Sequence, residues 1–389
     1  MLWVAVMYVT AIPREKNWVA TWATAVQKVE PHNLPPSPGL AGNTLRQIIE
    51  VSTGGKNVRL QLSAQYDSQE VEIEWVELAE ALTQGESPEV KEASAVVLTW
   101  NGSTKTSMKP GETLTSDPIR FRLKPRTRVA VTIRFGKCGA TDVSGHPGSR
   151  TTSYIATGWT NDFTDAKRMD HWCYISNLQV ENTGKMGAIA AIGNSITDGR
   201  GTTTNHQNRW TDILSLQLLK NKKTRNLSVL NFGLGGNCVL RGGLGPTANS
   251  RFERDALETP GVKYVIVFEG VNDLGNSWSP AQTADELISS FTTMIEKAHS
   301  RGMKILGATI MPFKGNSYYN EGREQARQKV NEWIRTCGKY DGIIDFDRIM
   351  SDPAQTDRLN PSFLFENDWL HPNADGYRTM GEGIDLNLF

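Results

Sequence analysis

The feature that most constrains how this 389-residue chain can fold is a change of pattern near residue 187. Beyond it, five short apolar runs recur at 186–192, 228–232, 264–268, 304–309 and 342–346. Helical spacing fills the gaps, at about 210–220, 251–258, 281–301 and 321–336, and a last helix is expected to begin near Asp375. Runs this short and apolar on both faces, joined by helices, call for a parallel sheet covered on both sides. In such a sheet ligands bind at the carboxyl ends of the strands.

Before residue 187 the period is two. Val71-Glu72-Ile73-Glu74-Trp75 alternates strictly, as does 129–135, and 58–62 and 119–123 repeat the pattern. Turn clusters such as Gly54-Gly55-Lys56-Asn57, Asn101-Gly102-Ser103 and Lys109-Pro110-Gly111 separate these runs. From about 18 to 180 the expectation is an antiparallel β-sandwich or jelly roll with no long helix. The length exceeds one hydrophobic core, so two domains are expected, at 15–183 and 184–389, with a linker near 181–185.

Charge and composition exclude some functions. Lys plus Arg and Asp plus Glu are both 42, so there is no basic excess of the kind a nucleic-acid surface shows. No apolar run reaches the roughly 18–20 residues that span a bilayer. Residues 2–11 are apolar without a basic start, and Val9-Thr10-Ala11 suits a small-residue cleavage site. A degenerate or truncated export signal, placing the protein in the periplasm or outside the cell, competes there with a buried first strand. Cys138, Cys173, Cys238 and Cys337 show no C-x-x-C spacing, which leaves zinc and thioredoxin readings unsupported; one disulfide is possible, but its connectivity is not legible in the sequence. Most of the eleven Trp are expected in the core, although surface indoles would suit sugar faces.

Four strand ends carry the chemistry. The first run leads into Gly193-Asn194-Ser195-Ile196-Thr197-Asp198-Gly199, a loop that presents one hydroxyl. It is not a G-x-S-x-G elbow, because Thr197 stands where the second glycine would. The second leads into Asn231-Phe232-Gly233-Leu234-Gly235-Gly236-Asn237, whose backbone N–H groups would be unobstructed. A phosphate loop there is disfavoured, since Cys238 takes the last glycine position and no helix follows directly. The third leads into Gly270-Val271-Asn272-Asp273, and the Asn272 amide is a donor that does not titrate. Six histidines compete for the role of base: His32, His146, His171, His206, His299 and His371. His299 reads as a surface partner of Glu296 on one helix. His371 lies in Asp368-Trp369-Leu370-His371-Pro372, where three-residue spacing lets one loop hold both an imidazole and the carboxylate that orients it.

These four blocks, in this order, resemble the SGNH hydrolases, or GDSL-type esterase/lipase family, from about Gly187 to the carboxyl terminus. One departure is Asn194, where the family usually has aspartate. The resemblance implies a flavodoxin-like parallel sheet and a serine esterase without metal or cofactor. It further implies Ser195 as nucleophile, His371 as general base and acid, and Asp368 as its orienting carboxylate. The Ser195 and Gly235 N–H groups and the Asn272 side chain would form the oxyanion hole. An SGNH domain behind a β-sandwich looks like the carbohydrate esterases that remove acetyl groups from plant polysaccharides. That implies an acylated saccharide as the partner, with neither nucleic acid nor membrane; oligomeric state is not legible. The alternatives are a lysophospholipase or arylesterase, a feruloyl esterase, and a non-catalytic carbohydrate-binding protein, the last opposed by the complete residue set. The sandwich either holds a sugar chain or only packs against the catalytic domain.

Overall fold

The computed structural model describes residues 17–83, 86–182 and 184–389. The apolar run at 2–11, read as an export signal or a first strand, lies outside them. Up to Glu181 the chain forms antiparallel sheets. One, of five strands, runs in the order 18–23, 175–181, 55–63 and 113–115, with 119–123 also paired to 55–63. A second, of seven, is centred on 44–50, 128–135 and 71–81, and a third, of three, joins 172–173, 144–146 and 27–28. The period-two pattern has a direct cause here: in Val71–Ala81, Val71 and Ile73 are buried while Glu72 and Glu74 are only partly covered. Leu60, Ile73, Val131, Ile133 and Leu178 fill the space between the sheets, each fully or almost fully buried and worth roughly 1.5–3 kcal/mol.

From Gly187 the order is β1 (Gly187–Gly193), α1 (Ser195–Asp198), α2 (Trp210–Lys220), β2 (Leu227–Gly233), α3 (Ala248–Phe252), β3 (Val262–Phe268) and α4 (Val271–Gly275). Then follow α5 (Pro280–Ser300), β4 (Lys304–Ala308), α6 (Glu321–Thr336), β5 (Gly342–Ile344), α7 (Phe346–Met350) and α8 (Ala374–Glu382). The five strands are parallel and ordered β2-β1-β3-β4-β5, the flavodoxin-like order that the family resemblance implies. All seven residues of β1 are buried, as its apolar run requires. Helix α5 sets Ala284, Leu287, Phe291, Met294 and Ala298 toward the core at helical spacing. The order in which strands are added reverses between β1 and β3, so α1 and α4 begin side by side at the carboxyl edge, where a ligand crevice opens.

Several sequence expectations shift. The predicted helix at 251–258 is α3 followed by a π turn over Glu253–Leu257. The last strand stops at Ile344, and Phe346 already belongs to α7. His299 bonds Asp341 through Nε2 at 2.9 Å rather than pairing with Glu296. All four cysteines are free thiols.

The two halves share a core. Strand Trp18–Ala23 pairs with Ile175–Glu181 in the sandwich, yet Val19, Ala20 and Ala23 pack among the side chains of the parallel sheet. It covers the outer edge at β2: Ser228 Oγ donates to Ala20 O at 2.6 Å, Ser52 Oγ donates to Val229 O at 2.8 Å, and Thr24 bridges Asn231. An exposed edge of the parallel sheet is thereby closed. Among the described residues, no helix is long and apolar enough to cross a membrane.

Candidate active site

The segment that presents Ser195 is a single helical turn rather than an open loop. Asn194 caps α1, its Oδ1 accepting from Ile196 N at 3.0 Å. Gly199, at φ 103°, closes the other end, and its N–H donates to Ser195 O at 2.9 Å. Two glycines make room for this turn. A Cβ on Gly193 would lie 2.1 Å from Thr197 Oγ1, and one on Gly233 would lie 2.1 Å from Asp198 N. Their sequence positions are thus set by the approach of α1 to the ends of β1 and β2.

Ser195 Oγ lies 2.8 Å from His371 Nε2, and His371 Nδ1 lies 2.6 Å from Asp368 Oδ2. The other Asp368 oxygen accepts the Leu370 and His371 N–H groups at 2.9 and 2.8 Å. Burial opposes charge on Asp368, but the hydrogen bonds from His371 and these N–H groups outweigh it and hold the carboxyl below its usual range. The loop is held tightly: Glu366, Asn367 and Trp369 all adopt positive φ, and Asn316 Nδ2 donates to Asp368 O at 2.6 Å. Trp369 packs on Gly315, where a Cβ would lie 2.5 Å from the indole.

Ser195 occupies the first helical position, so its N–H has no acceptor within α1. Gly235 sits beside the turn, 3.8 Å from Asp198 Oδ2 measured from where its Cβ would be. Asn272, in α4, donates through Nδ2 to Asn237 O at 2.8 Å and accepts from the Tyr318 hydroxyl at 3.1 Å through Oδ1. The two partners fix which way the amide points and leave its second N–H unused by them. Asp273 accepts the Val239 and Leu240 N–H groups, both at 2.9 Å, and so anchors the loop that Asn272 touches. The structure therefore joins Ser195, His371 and Asp368 by direct bonds. It ties Asn272 to the Gly235 turn through Asn237. An arrangement of this kind can pass the serine proton to the imidazole and present N–H groups to a developing oxyanion.

Residues that sequence reasoning missed lie beneath these. Arg251, 1 % exposed, donates to Phe232 O at 2.6 Å, Gly193 O at 3.0 Å and Asn237 Oδ1 at 3.1 Å, tying together the ends of β1 and β2. Glu269, also buried, accepts from Asn194 Nδ2 at 3.2 Å and from Gly270 N. Burial pushes its carboxyl up to about 8, with nearby Arg251 opposing and Asp273 adding to the rise. The asparagine at 194 makes a contact here that an aspartate, having no N–H to give, could not make in the same sense: its amide donates to Glu269. Burial likewise pushes the Cys238 thiol up to about 12, which makes it inert.

Beside Asn272 opens a cleft of about 360 Å³, walled by Leu240, Arg241, Gly243, Ser277 and Gln282. Trp278 stands on its rim with 98 % of its surface exposed. Among the described residues no group of three His, Cys, Asp or Glu side chains is placed to hold a metal ion.

Residues 191–379 match the GDSL-like lipase/acylhydrolase family. No curated protein matches the chain. Among solved structures, a G-D-S-L family protein from Desulfitobacterium hafniense is similar at 24 % identity, covering 50 % of this chain and 96 % of its own, with a TM-score of 0.40. A GDSL-like lipase from Bacteroides thetaiotaomicron is similar at 18 % identity, with 53 % and 90 % coverage and a TM-score of 0.39. An acetyl xylan esterase from Geobacillus stearothermophilus is similar at 19 % identity, with 51 % and 94 % coverage and a TM-score of 0.39. Residues 191–379 hold every block of the site, from Gly193 to His371, and this part of the chain is a GDSL-like lipase/acylhydrolase, or SGNH hydrolase, domain.

Proposed function

We propose that this protein is a serine esterase that removes O-acyl groups, acetyl foremost, from saccharides. The observation that carries the reading is the unbroken chain from Ser195 Oγ to His371 at 2.8 Å and on to Asp368 at 2.6 Å. In the reaction, Ser195 Oγ forms a bond to the ester carbonyl carbon while its proton passes to His371 Nε2. The carbonyl oxygen becomes an oxyanion facing the Ser195 and Gly235 N–H groups and the free N–H of Asn272. The tetrahedral intermediate expels the sugar alkoxide, which takes the proton from His371 and leaves an acyl-serine. Water then gives a proton to His371, attacks the acyl carbon, and releases the carboxylic acid as Ser195 recovers its proton. Asp368 stays anionic throughout and holds the ring in the tautomer that accepts at Nε2.

The cleft beside Asn272 supports a saccharide rather than a long acyl chain. Arg241, Ser277 and Gln282 are polar, and Leu240 is its one large aliphatic wall. Trp278 offers a bare indole face to a sugar ring at the rim. In this reading the hydrolase unit spans 184–389 and the sandwich unit 15–183. Parallel assays of acetate release from acetylated xylan, ferulate release from feruloylated sugars and fatty-acid release from lysophospholipid test the substrate. Acetate release from xylan is expected to dominate; a preference for acyl chains of eight carbons or more overturns the saccharide reading.

A further inference from the structure

We propose that His146, carried by the sandwich unit, is a positioning residue for Ser195, acting through Asp198 at the far end of α1. The inference rests on the esterase reading above. A four-residue helix does not hold its own shape in water, because one turn fixes many dihedrals for few hydrogen bonds. What grips α1 therefore determines where Ser195 Oγ stands relative to His371, which arrives from a loop 176 residues later.

Much of that grip comes from the other half of the chain. Asp198 is buried, with 2 % of its side chain exposed. Its Oδ1 accepts from His146 Nε2 at 2.9 Å, and its Oδ2 faces an Arg150 guanidinium nitrogen at 3.4 Å. Both residues belong to the sandwich segment 144–151. On the catalytic side, Arg209 Nε donates to Asp198 O at 2.9 Å. Burial opposes charge on Asp198, and His146, Arg150 and Arg209 together overcome it and keep the carboxyl below its usual range. His146 is itself held by Ala25 O, 2.9 Å from Nδ1, and by the ring of Trp172, stacked at 5.8 Å. A carbonyl and an ionised carboxylate only accept, so the imidazole keeps both bonds when both of its nitrogens donate.

The segment is shaped for this contact. A Cβ on Gly148 would lie 2.0 Å from Asp198 Oδ2, so only glycine lets the backbone come so close. Gln207 Nε2 donates to Thr151 Oγ1 at 2.8 Å and Thr152 N donates to Asn205 Oδ1 at 2.8 Å, which fasten the segment to the loop after α1. The sandwich is in this account part of the catalytic unit, independently of whether it also touches sugar.

The test compares His146→Leu, His146→Gln and Arg150→Met in the full chain, with Ser52→Ala as a control that loosens the same interface at β2. Steady-state turnover of p-nitrophenyl acetate, the rate of Ser195 labelling by a small fluorophosphonate, and thermal melting are measured for each. A misplacement near 1 Å costs on the order of 100-fold in rate, so His146→Leu is expected to lower kcat roughly 10- to 100-fold with KM within about twofold. Labelling should fall in parallel, and His146→Gln, which keeps one donor toward Asp198, should recover kcat several-fold. Ser52→Ala should melt earlier with kcat unchanged. A folded His146→Leu variant with wild-type kcat, or a Gln variant no better than Leu, overturns the proposal. Should His146→Leu fail to fold, Arg150→Met decides: a lowered kcat at constant KM supports it and an unchanged kcat overturns it. Failure of the esterase reading is separately visible, as absence of turnover and labelling in the unmodified protein.

Discussion

Glu269→Gln is the perturbation whose size follows most directly from the structure. Glu269 is 1 % exposed, and its Oε1 makes no hydrogen bond, Arg251 standing 3.6 Å away. Burial raises its carboxyl from an ordinary 4.5 to about 8. The folded state thus favours the protonated acid. Its contribution to stability is complete below pH 4.5 and is lost as pH rises through about 8. At about 1.4 kcal/mol per pH unit between 4.5 and 8, the stability lost as the unfolded chain ionises is on the order of 5 kcal/mol above pH 8. Glutamine resembles the protonated acid, with its carbonyl toward Asn194 and its amide where the acid proton would be, but it surrenders the attraction of Arg251. We therefore expect the variant to match the parent near pH 5 and to exceed it by roughly 2–4 kcal/mol above pH 8. Urea titrations followed by fluorescence at pH 5, 7 and 9 give the difference at each pH. A gap that stays flat across this range, or that favours the parent more as pH rises, refutes the reasoning.

Four further outcomes follow from the same geometry. Asn272→Ala removes one donor from the oxyanion, and should cost about 2.7–4 kcal/mol of transition-state stabilisation, read as a fall in kcat. Tyr318→Phe should produce a smaller loss, since Asn237 still orients the amide. Asp368→Asn should lower kcat by about 10⁴ by fixing the wrong tautomer of His371, while circular dichroism and melting show the fold intact. Trp278→Ala should raise KM for acetylated xylooligosaccharides several-fold and leave p-nitrophenyl acetate kinetics untouched; equal effects on both substrates remove the indole from sugar binding.

How much of this was legible in the sequence follows from where each signal resides. The five strands are readable because burial on both faces demands continuous apolar runs, and the sandwich because its period is two. Ser195, Asn272, Asp368 and His371 are readable because each stands at the end of such a run or shares one short loop with its partner. Helix α1 is too short for periodicity to register, so Ser195 looks like a loop residue although Asn194 and Gly199 mark both ends of a turn. The π turn after α3 shares the helical pattern on either side of it. His146, Arg251 and Glu269 are illegible for another reason. Their roles depend on contacts 52, 58 and 75 residues away, which no local pattern records. The glycines at 193 and 233 look like turn formers, whereas the structure uses their missing side chains to seat α1. Asn194 appears as a departure from the family pattern until Glu269 is found beside it.

The central claim is that Ser195 is the nucleophile, and it is tested most directly by trapping. The full chain is treated with a small fluorophosphonate and its peptides are sequenced by mass spectrometry, with Ser195→Ala in parallel for p-nitrophenyl acetate turnover. The account predicts a single adduct on Ser195, none in the variant, and a fall in kcat of about 10⁴ or more. Turnover retained in Ser195→Ala, or an adduct on another residue with Ser195 unmodified, contradicts it.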